Sequence, residues 1–300
     1  MRARPTIAWA FSAISLVQGV VVARALTALY PLVTARGLLA LGSQVGASFA
    51  FARPVLAAEP GADAPAPLEL TPLDASAAPP AATTACPAEM ALVEGEYCTD
   101  VQHECKRWLE AEGRYAYYRC AEYSKATCVG QRVHKRYCID RNEYAPPGER
   151  LPASFQSWTN ATATCGALGK RVCLESEWQF ACEGEEMRPY PYGWARDAAA
   201  CNADRLDIYQ PNQSLRDLRA GPDDNPRCVS PFGVHHLSGN LEEWTTIDGS
   251  ERGVPRPAMK GAYWQPSRNN CRANQTAHDR FYNGIETGFR CCADAFGPPG

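Results

Sequence analysis

The side chains best suited to bind an ion lie in one polar turn between residues 230 and 244. It reads Ser-Pro-Phe-Gly-Val-His-His-Leu-Ser-Gly-Asn-Leu-Glu-Glu-Trp, and Gly233 and Gly239 indicate sharp turns or backbone with positive φ. Asn240 and Glu243 place oxygen ligands beside main-chain carbonyls, which a hard cation such as calcium prefers. The simpler interpretation is a turn that leads into a strand, with Trp244 in the core.

Cysteines form the second group with chemical potential. The 300-residue chain contains 14 of them, all after residue 85, and they include no tandem Cys-x-x-Cys pairs. The five histidines lack the spacing of zinc ligands. Because cytosolic proteins rarely carry so many cysteines outside metal sites, we expect up to seven disulfides and an oxidising compartment. Adjacent Cys291 and Cys292 could instead form a reactive site.

Five further motifs accompany the Gly-Asn-x-x-Glu-Trp turn in a fixed order. They are Leu168-Gly-Lys-Arg171, Glu175-Ser-Glu-Trp178, Tyr190-Pro-Tyr-Gly193, Lys260-Gly-Ala-Tyr-Trp264 and Gly288-Phe-Arg-Cys291. Over residues 132–296 the chain resembles the formylglycine-generating enzyme, or sulfatase-modifying factor, family. The resemblance implies an α+β fold of the C-type-lectin-like kind, low in regular secondary structure and rich in disulfides.

The copper chemistry of the family depends on a thiol pair. Enzymes of this family oxidise a sulfatase cysteine to formylglycine and bind Cu(I) through two active-site cysteines, since soft thiolates suit that ion. The resemblance places the pair after the Lys260–Trp264 motif, but residues 262–270 contain no cysteine. Cys271 corresponds to a structural cysteine of the family. Both copper ligands are therefore missing, and we assign no catalytic residue and expect no copper.

The family's structural cysteines are present. The resemblance implies disulfides Cys165–Cys291 and Cys182–Cys271, which leaves Cys173 and Cys292 as a further pair. Cys201 and Cys228 lie in the irregular segment 183–229 and could close part of it.

The resemblance also implies two calcium sites. The first contains Asn202 and the carbonyl of Ala203, while Asp204, Asp207 and Asp217 compete as its acidic ligand. The second contains the carbonyls of Gly239 and Leu241 and the side chain of Glu243. His236 stands where the family usually has Asn or Asp, and imidazole is a poor calcium ligand.

Composition and charge divide the chain into four parts. Residues 1–58 carry five arginines and no acid, and their apolar runs predict a signal or targeting segment, with an uncleaved membrane anchor as the alternative. Residues 59–85 are rich in Ala and Pro and predict a linker. Residues 86–131 predict a small cysteine-rich module without evident chemistry, and residues 132–296 the family-like domain. A net charge of −3 argues against a nucleic-acid-binding protein.

Few regular elements are expected to position these residues. Residues 157–168 predict a helix capped by Ser157 or Thr159, and residues 174–182 predict a second helix with Trp178 in the core. Residues 137–144 predict an early strand. Residues 90–98 predict two strands joined by a glycine turn, and residues 105–112 a short helix.

Three functional hypotheses remain open. The first is a secreted or periplasmic binding module that holds a peptide or protein in the cleft at residues 261–271. The second is a formylglycine-generating oxidase with an altered site. The third is an iron-dependent oxidase of the wider superfamily, which needs a clustered His/Asp/Glu triad that the sequence does not reveal.

Overall fold

The computed structural model describes residues 85–249 and 253–297. The predicted targeting segment, and the predicted linker except for its last residue, lie outside these ranges. Within them, no helix combines the length and the apolar character needed to cross a membrane.

Two four-stranded sheets and two helices make up the regular structure. The helices are α1 (Trp158–Ala167) and α2 (Glu175–Glu183). The strands, in chain order, are β1 (Met90–Cys98), β2 (Val101–Gln102), β3 (Cys105–Trp108), β4 (Cys120–Tyr123), β5 (Thr127–Cys128), β6 (Arg132–Asp140), β7 (Arg171–Val172), β8 (Glu242–Thr246), β9 (Pro257–Lys260), β10 (Asn274–Gln275), β11 (Thr287–Gly288) and β12 (Cys291–Asp294).

The first sheet has the strand order β1-β6-β12-β7 and is antiparallel throughout. The second has the order β10-β9-β8-β11, in which only the β8–β11 pair is parallel. Strand β1 pairs with β6 from Met90↔Asp140 to Cys98↔Arg132. Residues 90–98 of the predicted N-terminal module are therefore part of the same sheet as residues 132–140.

Three local predictions differ from the structure. The predicted glycine turn in residues 90–98 is wrong, because β1 is continuous and Gly95 has a φ of 148° within it. A Cβ at Gly95 would lie 2.6 Å from Glu185 Oε1, so glycine there allows close approach rather than a turn. The predicted helix at 105–112 is also wrong, since Cys105–Trp108 pairs with β4. The early strand ends at Asp140 rather than Tyr144.

Both predicted helices are present. Ser157 caps α1 by accepting a hydrogen bond from the backbone N–H of Asn160 at 3.1 Å. At the start of α2, Glu177 accepts the backbone N–H of Leu174 at 2.8 Å. Helix α2 places Trp178 in the core, where it is fully buried. Trp244 on β8 and Trp264 are buried with it.

One buried ion pair connects the two sheets. Arg290 and Glu243 are at most 1% exposed and make two hydrogen bonds of 2.7 Å each. Arg290 also donates to the carbonyls of Asp140 and His235, at 3.1 and 2.8 Å. Trp178 Nε1 donates to Glu243 at 2.9 Å. These contacts join β6, β8 and α2 at the segment between β11 and β12.

All fourteen cysteines form seven disulfides. Cys165 joins Cys291 and Cys182 joins Cys271, the partners that the family resemblance implies. The remaining pairs are Cys86–Cys138, Cys98–Cys128, Cys105–Cys120, Cys173–Cys292 and Cys201–Cys228. The adjacent Cys291 and Cys292 thus have different partners, and the alternative of a reactive vicinal pair is wrong.

The Arg290–Glu243 pair predicts a large stability loss when only one partner is removed. Arg290→Met leaves a buried carboxylate without its cation, which costs about 3–5 kcal/mol of unfolding free energy. The measurement is urea unfolding of the oxidised protein. The double variant Arg290→Met/Glu243→Leu removes the unpaired charge and should recover much of the loss. Equal losses in the two variants would contradict this account.

The Cys201–Cys228 disulfide should restrain the irregular segment that it closes. It spans 27 residues of a region without helices or strands. Cys201→Ser/Cys228→Ser should lower the unfolding free energy by about 3 kcal/mol and expose residues 204–227 to limited proteolysis. Cys98→Ser/Cys128→Ser is the matched control, because that bond spans 30 residues elsewhere. Unchanged cleavage at residues 204–227 in the first variant would count against the prediction.

Candidate functional site

The two predicted calcium sites are brought together by a close backbone contact. Gly239 has a φ of 77°, and a Cβ there would lie 2.3 Å from the carbonyl oxygen of Asn202. That oxygen accepts the backbone N–H of Asn240 at 2.9 Å, and Asn202 Nδ2 donates to Asn240 Oδ1 at 2.9 Å. Only glycine allows this approach, so the turn and the 202 region are fixed together.

The second predicted site has its carboxylate already occupied by a cation. Both oxygens of Glu243 accept hydrogen bonds from Arg290, and one also accepts from Trp178. The guanidinium of Arg290 lies beside the carboxylate that would bind calcium and would repel the ion. His236 is turned away, as its Nε2 bonds to the Asp224 carbonyl at 2.8 Å. As placed, these residues do not fit a calcium ion.

The first predicted site has a similar difficulty. Asn202 and Ala203 are buried, but each competing acid has an arginine partner. Asp204 accepts two 2.7 Å bonds from Arg196, and the others form the pairs Asp207–Arg205 and Asp217–Arg219. No group of three or more His, Cys, Asp or Glu residues is arranged to hold a metal in the described part of the chain.

Glu143 and His236 form a buried polar network behind the turn. Glu143 accepts the backbone N–H of Leu241 at 3.0 Å and a hydrogen bond from the Asn240 side chain. Burial, followed by repulsion from Glu243, raises the pKa of Glu143 to about 8. Burial also lowers the pKa of His236. These groups hold the turn in place and reach each other only at 3.7 Å, between His236 Nδ1 and Glu143 Oε2.

The cysteines do not fit a Cu(I) centre. All of them are in disulfides, and residues 262–270 contain none. A disulfide sulfur has no thiolate to donate to the metal. Cys271, the first cysteine after this segment, is buried and bonded to Cys182.

A cavity of about 230 Å³ lies beside residues 261–268. Gly261, Ala262, Ser267 and Arg268 line it, and these residues belong to the segment 261–271 for which a ligand cleft is predicted. Its other lining residues include Glu242 on β8, Asn274 and Gln275 on β10, and Tyr118 from the N-terminal module. We call this cavity the cleft.

A second cavity of about 350 Å³ continues from the cleft and is largely aromatic. Both cavities are lined by Tyr118, Arg268 and Ala273. The second is also lined by Trp108, Tyr117 and Tyr123, and we call it the aromatic pocket. Sequence reasoning found no chemistry in residues 86–131. The run Arg-Tyr-Ala-Tyr-Tyr-Arg at 114–119 was the available signal.

A third cavity contains a serine, lysine and aspartate in hydrogen-bond contact. It measures about 390 Å³ and is lined by Lys135, Ser176 and Asp248. Lys135 Nζ donates to Ser176 Oγ at 2.7 Å, and Ser176 Oγ donates to Asp248 at 2.5 Å. Asp248 also accepts the Ser176 backbone N–H at 2.8 Å. Asp248 thus caps the N-terminus of α2, and this structural role accounts for its position beside Ser176.

One glutamate, Glu242, lines the cleft, and Glu286 lies next to it. Glu242 N–H donates to the Glu286 carbonyl at 2.9 Å, and Glu286 accepts from Tyr282 Oη at 2.6 Å. Burial, and then repulsion from Glu286, raises the pKa of Glu242 to about 7. The protonated form is therefore favoured in the folded state. Protonation of Glu242 therefore adds to the free energy of unfolding. This contribution is complete below the ordinary pKa of 4.5 and is lost as the pH rises through about 7.

Replacing Glu242 by an uncharged isostere tests this assignment. Glu242→Gln should raise the melting temperature by about 2–4 °C at pH 8, equivalent to about 1 kcal/mol, because it removes the buried charge. The difference should vanish near pH 4.5, the ordinary carboxyl value. Thermal unfolding at both pH values is the measurement, with exposed Glu112→Gln as control. A variant no more stable than wild type at pH 8 would contradict the raised pKa.

Similar proteins cover the same part of the chain. Residues 98–295 match the model of the sulfatase-modifying factor enzyme 1-like domain. A Bos taurus protein named "Inactive C-alpha-formylglycine-generating enzyme 2" is 29% identical over 167 residues, covering 50% of this chain and 52% of that protein. The formylglycine-generating enzyme of Thermomonospora curvata is 27% identical over 173 residues, covering 48% and 55%. The chain thus spans about half the length of the curated relatives it matches.

Solved structures with similar folds are more distant in sequence. CarF is 14% identical with a TM-score of 0.44, covering 69% of this chain and 98% of its own. PvdO from Pseudomonas aeruginosa is 15% identical with a TM-score of 0.42, covering 68% and 94%. The family match includes both helices, the second sheet, strands β6, β7 and β12 of the first sheet and the turn at 230–244. With its α+β, disulfide-rich architecture, the chain belongs to the sulfatase-modifying factor family.

Proposed function

We infer that this protein is a secreted or periplasmic member of the family that binds a peptide or protein without copper catalysis. The observation that carries the proposal is the state of the cysteines. All fourteen are paired in disulfides, and the segment that should supply the copper-binding thiols contains none. Loss of both ligands removes the soft donor set on which Cu(I) chemistry depends.

The compartment follows from the same bonds. Seven disulfides in one chain indicate an oxidising environment, because cytosolic thiols are kept reduced. The arginine-containing apolar segment 1–58 supports export by a signal sequence. Secretion or periplasmic delivery is the proposed route into that environment.

The shape of the molecule supports binding. The cleft and the aromatic pocket share three lining residues and together offer apolar, acidic and basic groups to a ligand. Disulfide Cys182–Cys271 anchors the end of the loop that forms one side of the cleft. A preorganised loop reduces the entropy lost when a ligand binds, which favours recognition.

Identity to relatives does not separate a binding protein from an oxidase. The two relatives compared, one named inactive and one named an enzyme, are 29% and 27% identical. An iron-dependent oxidase needs a clustered His/Asp/Glu triad, and the described residues include no such group. The distinction therefore depends on the thiols.

Thiol and copper titrations test the proposal directly. In denaturant without reductant, the mature protein should show no free thiol, and after reduction it should show all 14. The native protein should bind no stoichiometric Cu(I) and should leave a Cys-x-Pro-x-Arg sulfatase peptide unoxidised by mass spectrometry. The untreated peptide and an active formylglycine-generating enzyme serve as controls.

Copper binding by a cysteine pair would contradict the proposal. Tight binding of one Cu(I) by a cysteine pair that opens under mild reduction would restore the oxidase hypothesis. Serine substitutions at that pair would then have to abolish both metal binding and peptide oxidation.

A further inference from the structure

The aromatic pocket is open and carries no acidic side chain. Its lining includes Trp108, Tyr117, Tyr118 and Tyr123 together with two arginines, a histidine and an asparagine. Tyr117 is 64% exposed and packs edge-on against Trp108, with ring centroids 5.8 Å apart. Its φ of 59° is unusual for a bulky residue, so the loop holds this ring in place at a conformational cost.

Arg268 stands between the aromatic pocket and the cleft with an uncompensated charge. It is exposed, and its guanidinium lies 5.1 Å from the centroid of the Tyr118 ring. In the described ranges no carboxylate comes within ion-pair distance of it. The neighbouring Arg272 differs, since Glu183 accepts two of its hydrogen bonds at 2.8 and 2.5 Å. Arg268 is therefore the basic group left for a ligand.

The loop that carries Arg268 is rigidly held. Arg196 donates to the carbonyls of Ser267 and Arg268 at 2.7 and 3.0 Å and to Asn269 Oδ1 at 3.1 Å. Arg196 is itself fixed by Asp204 through two bonds of 2.7 Å. The position of the Arg268 main chain is thus set before any ligand arrives.

A strand edge lies along the same surface. Strand β10 is at the end of its sheet and has β9 as its one neighbour there. Both of its residues, Asn274 and Gln275, line the cleft. An extended peptide can add to such an edge through main-chain hydrogen bonds while its side chains enter adjacent pockets.

We propose that the cleft and the aromatic pocket together bind an extended acidic peptide segment of a partner protein. An apolar or aromatic side chain of that segment occupies the aromatic pocket, and a carboxylate close to it in sequence pairs with Arg268. The segment continues along β10. This assignment rests on the proposed binding function and adds the chemistry of the partner.

Charge and shape favour this ligand over others. The pocket adjoining Arg268 has no carboxylate to repel an acid, and aromatic faces accept apolar side chains. A single free arginine offers one anion contact, which is a poor match for the repeated phosphates of a nucleic acid. The chain itself carries acidic residues in segment 59–85, among them Glu69 and Asp74. Self-occupancy is therefore a result that the experiment must distinguish.

A phage-displayed random peptide library, selected on the full oxidised chain, identifies the preferred sequences. Enriched peptides should carry Asp or Glu within about two residues of an aromatic or large apolar residue, the spacing that an extended strand provides. The strongest peptide is then synthesised with a fluorescent label. Its affinity is measured by anisotropy on wild type and on single variants.

Two matched pairs of variants locate the contacts. Arg268→Glu should weaken binding about tenfold or more, whereas the exposed Arg227→Glu, with the same charge change, should stay within about twofold. Tyr117→Ala should also weaken binding about tenfold, because the ring lines the pocket. Tyr115→Ala is its control, since Tyr115 is 59% exposed on the same loop outside the pocket. Replacing the peptide's Asp or Glu by Asn or Gln should weaken its binding to wild type and leave its binding to Arg268→Glu unchanged.

Each other outcome overturns a defined part of the proposal. Enrichment of neutral or basic peptides that bind the cleft rejects the acidic partner and leaves the binding function intact. Equal affinity of Arg268→Glu and wild type rejects the assigned contact. Tighter binding after Glu69→Lys/Asp74→Lys in the full chain assigns the site to the chain's own segment instead of a partner. Failure to enrich any peptide rejects the acidic peptide ligand, while the proposed function is judged separately by the thiol and copper titrations.

Discussion

The buried pair of Arg290 and Glu243 is the constraint on which the rest of the structure depends. A charge can be removed from water only when a partner and hydrogen bonds compensate it, and here five acceptors surround one guanidinium. Those acceptors come from β8, the end of β6 and the turn before Asn240. Because they are distant in sequence, the pair defines how the two sheets meet. The main role of the turn at 230–244 is therefore structural.

The same pair explains why ligand prediction from motifs is difficult. The sequence predicts Asn202 in one calcium site and Gly239 and Glu243 in another, and the structure brings Asn202 against Gly239 and Asn240. The oxygens of these residues can bind a metal ion only if no other cation is already paired with them. Arg290 is paired with Glu243 from 47 residues away, and the sequence does not reveal this contact. The arginine partners of Asp204, Asp207 and Asp217 have the same effect. An acidic residue in a sequence predicts a negative charge, but it does not predict a metal ligand unless its neighbours in the structure are known.

Elements with local causes were the easiest to predict. Helix α1 depends on Ser157 and the following residues, and α2 on Glu177 and an apolar side that includes Trp178, so both are readable within one segment. The turn predicted at Gly95 is wrong because the reason for the glycine is distant in sequence: the side chain of Glu185, just after α2, approaches it. The aromatic pocket was missed for a related cause. Trp108 and Tyr117 become a site only when the loop at 267–275 packs beside them.

Disulfides also explain how a cleft can be held rigid in this chain. A chain with little regular structure must restrict its loops by other means, and seven covalent links do so here. A redox-active thiol pair within such a network would face exchange with its neighbours, whereas a fully paired set is inert. The rigid cleft and the aromatic pocket thus present Arg268, Glu242 and the aromatic rings. Such groups can recognise a ligand through charge, hydrogen bonds and contacts with the rings.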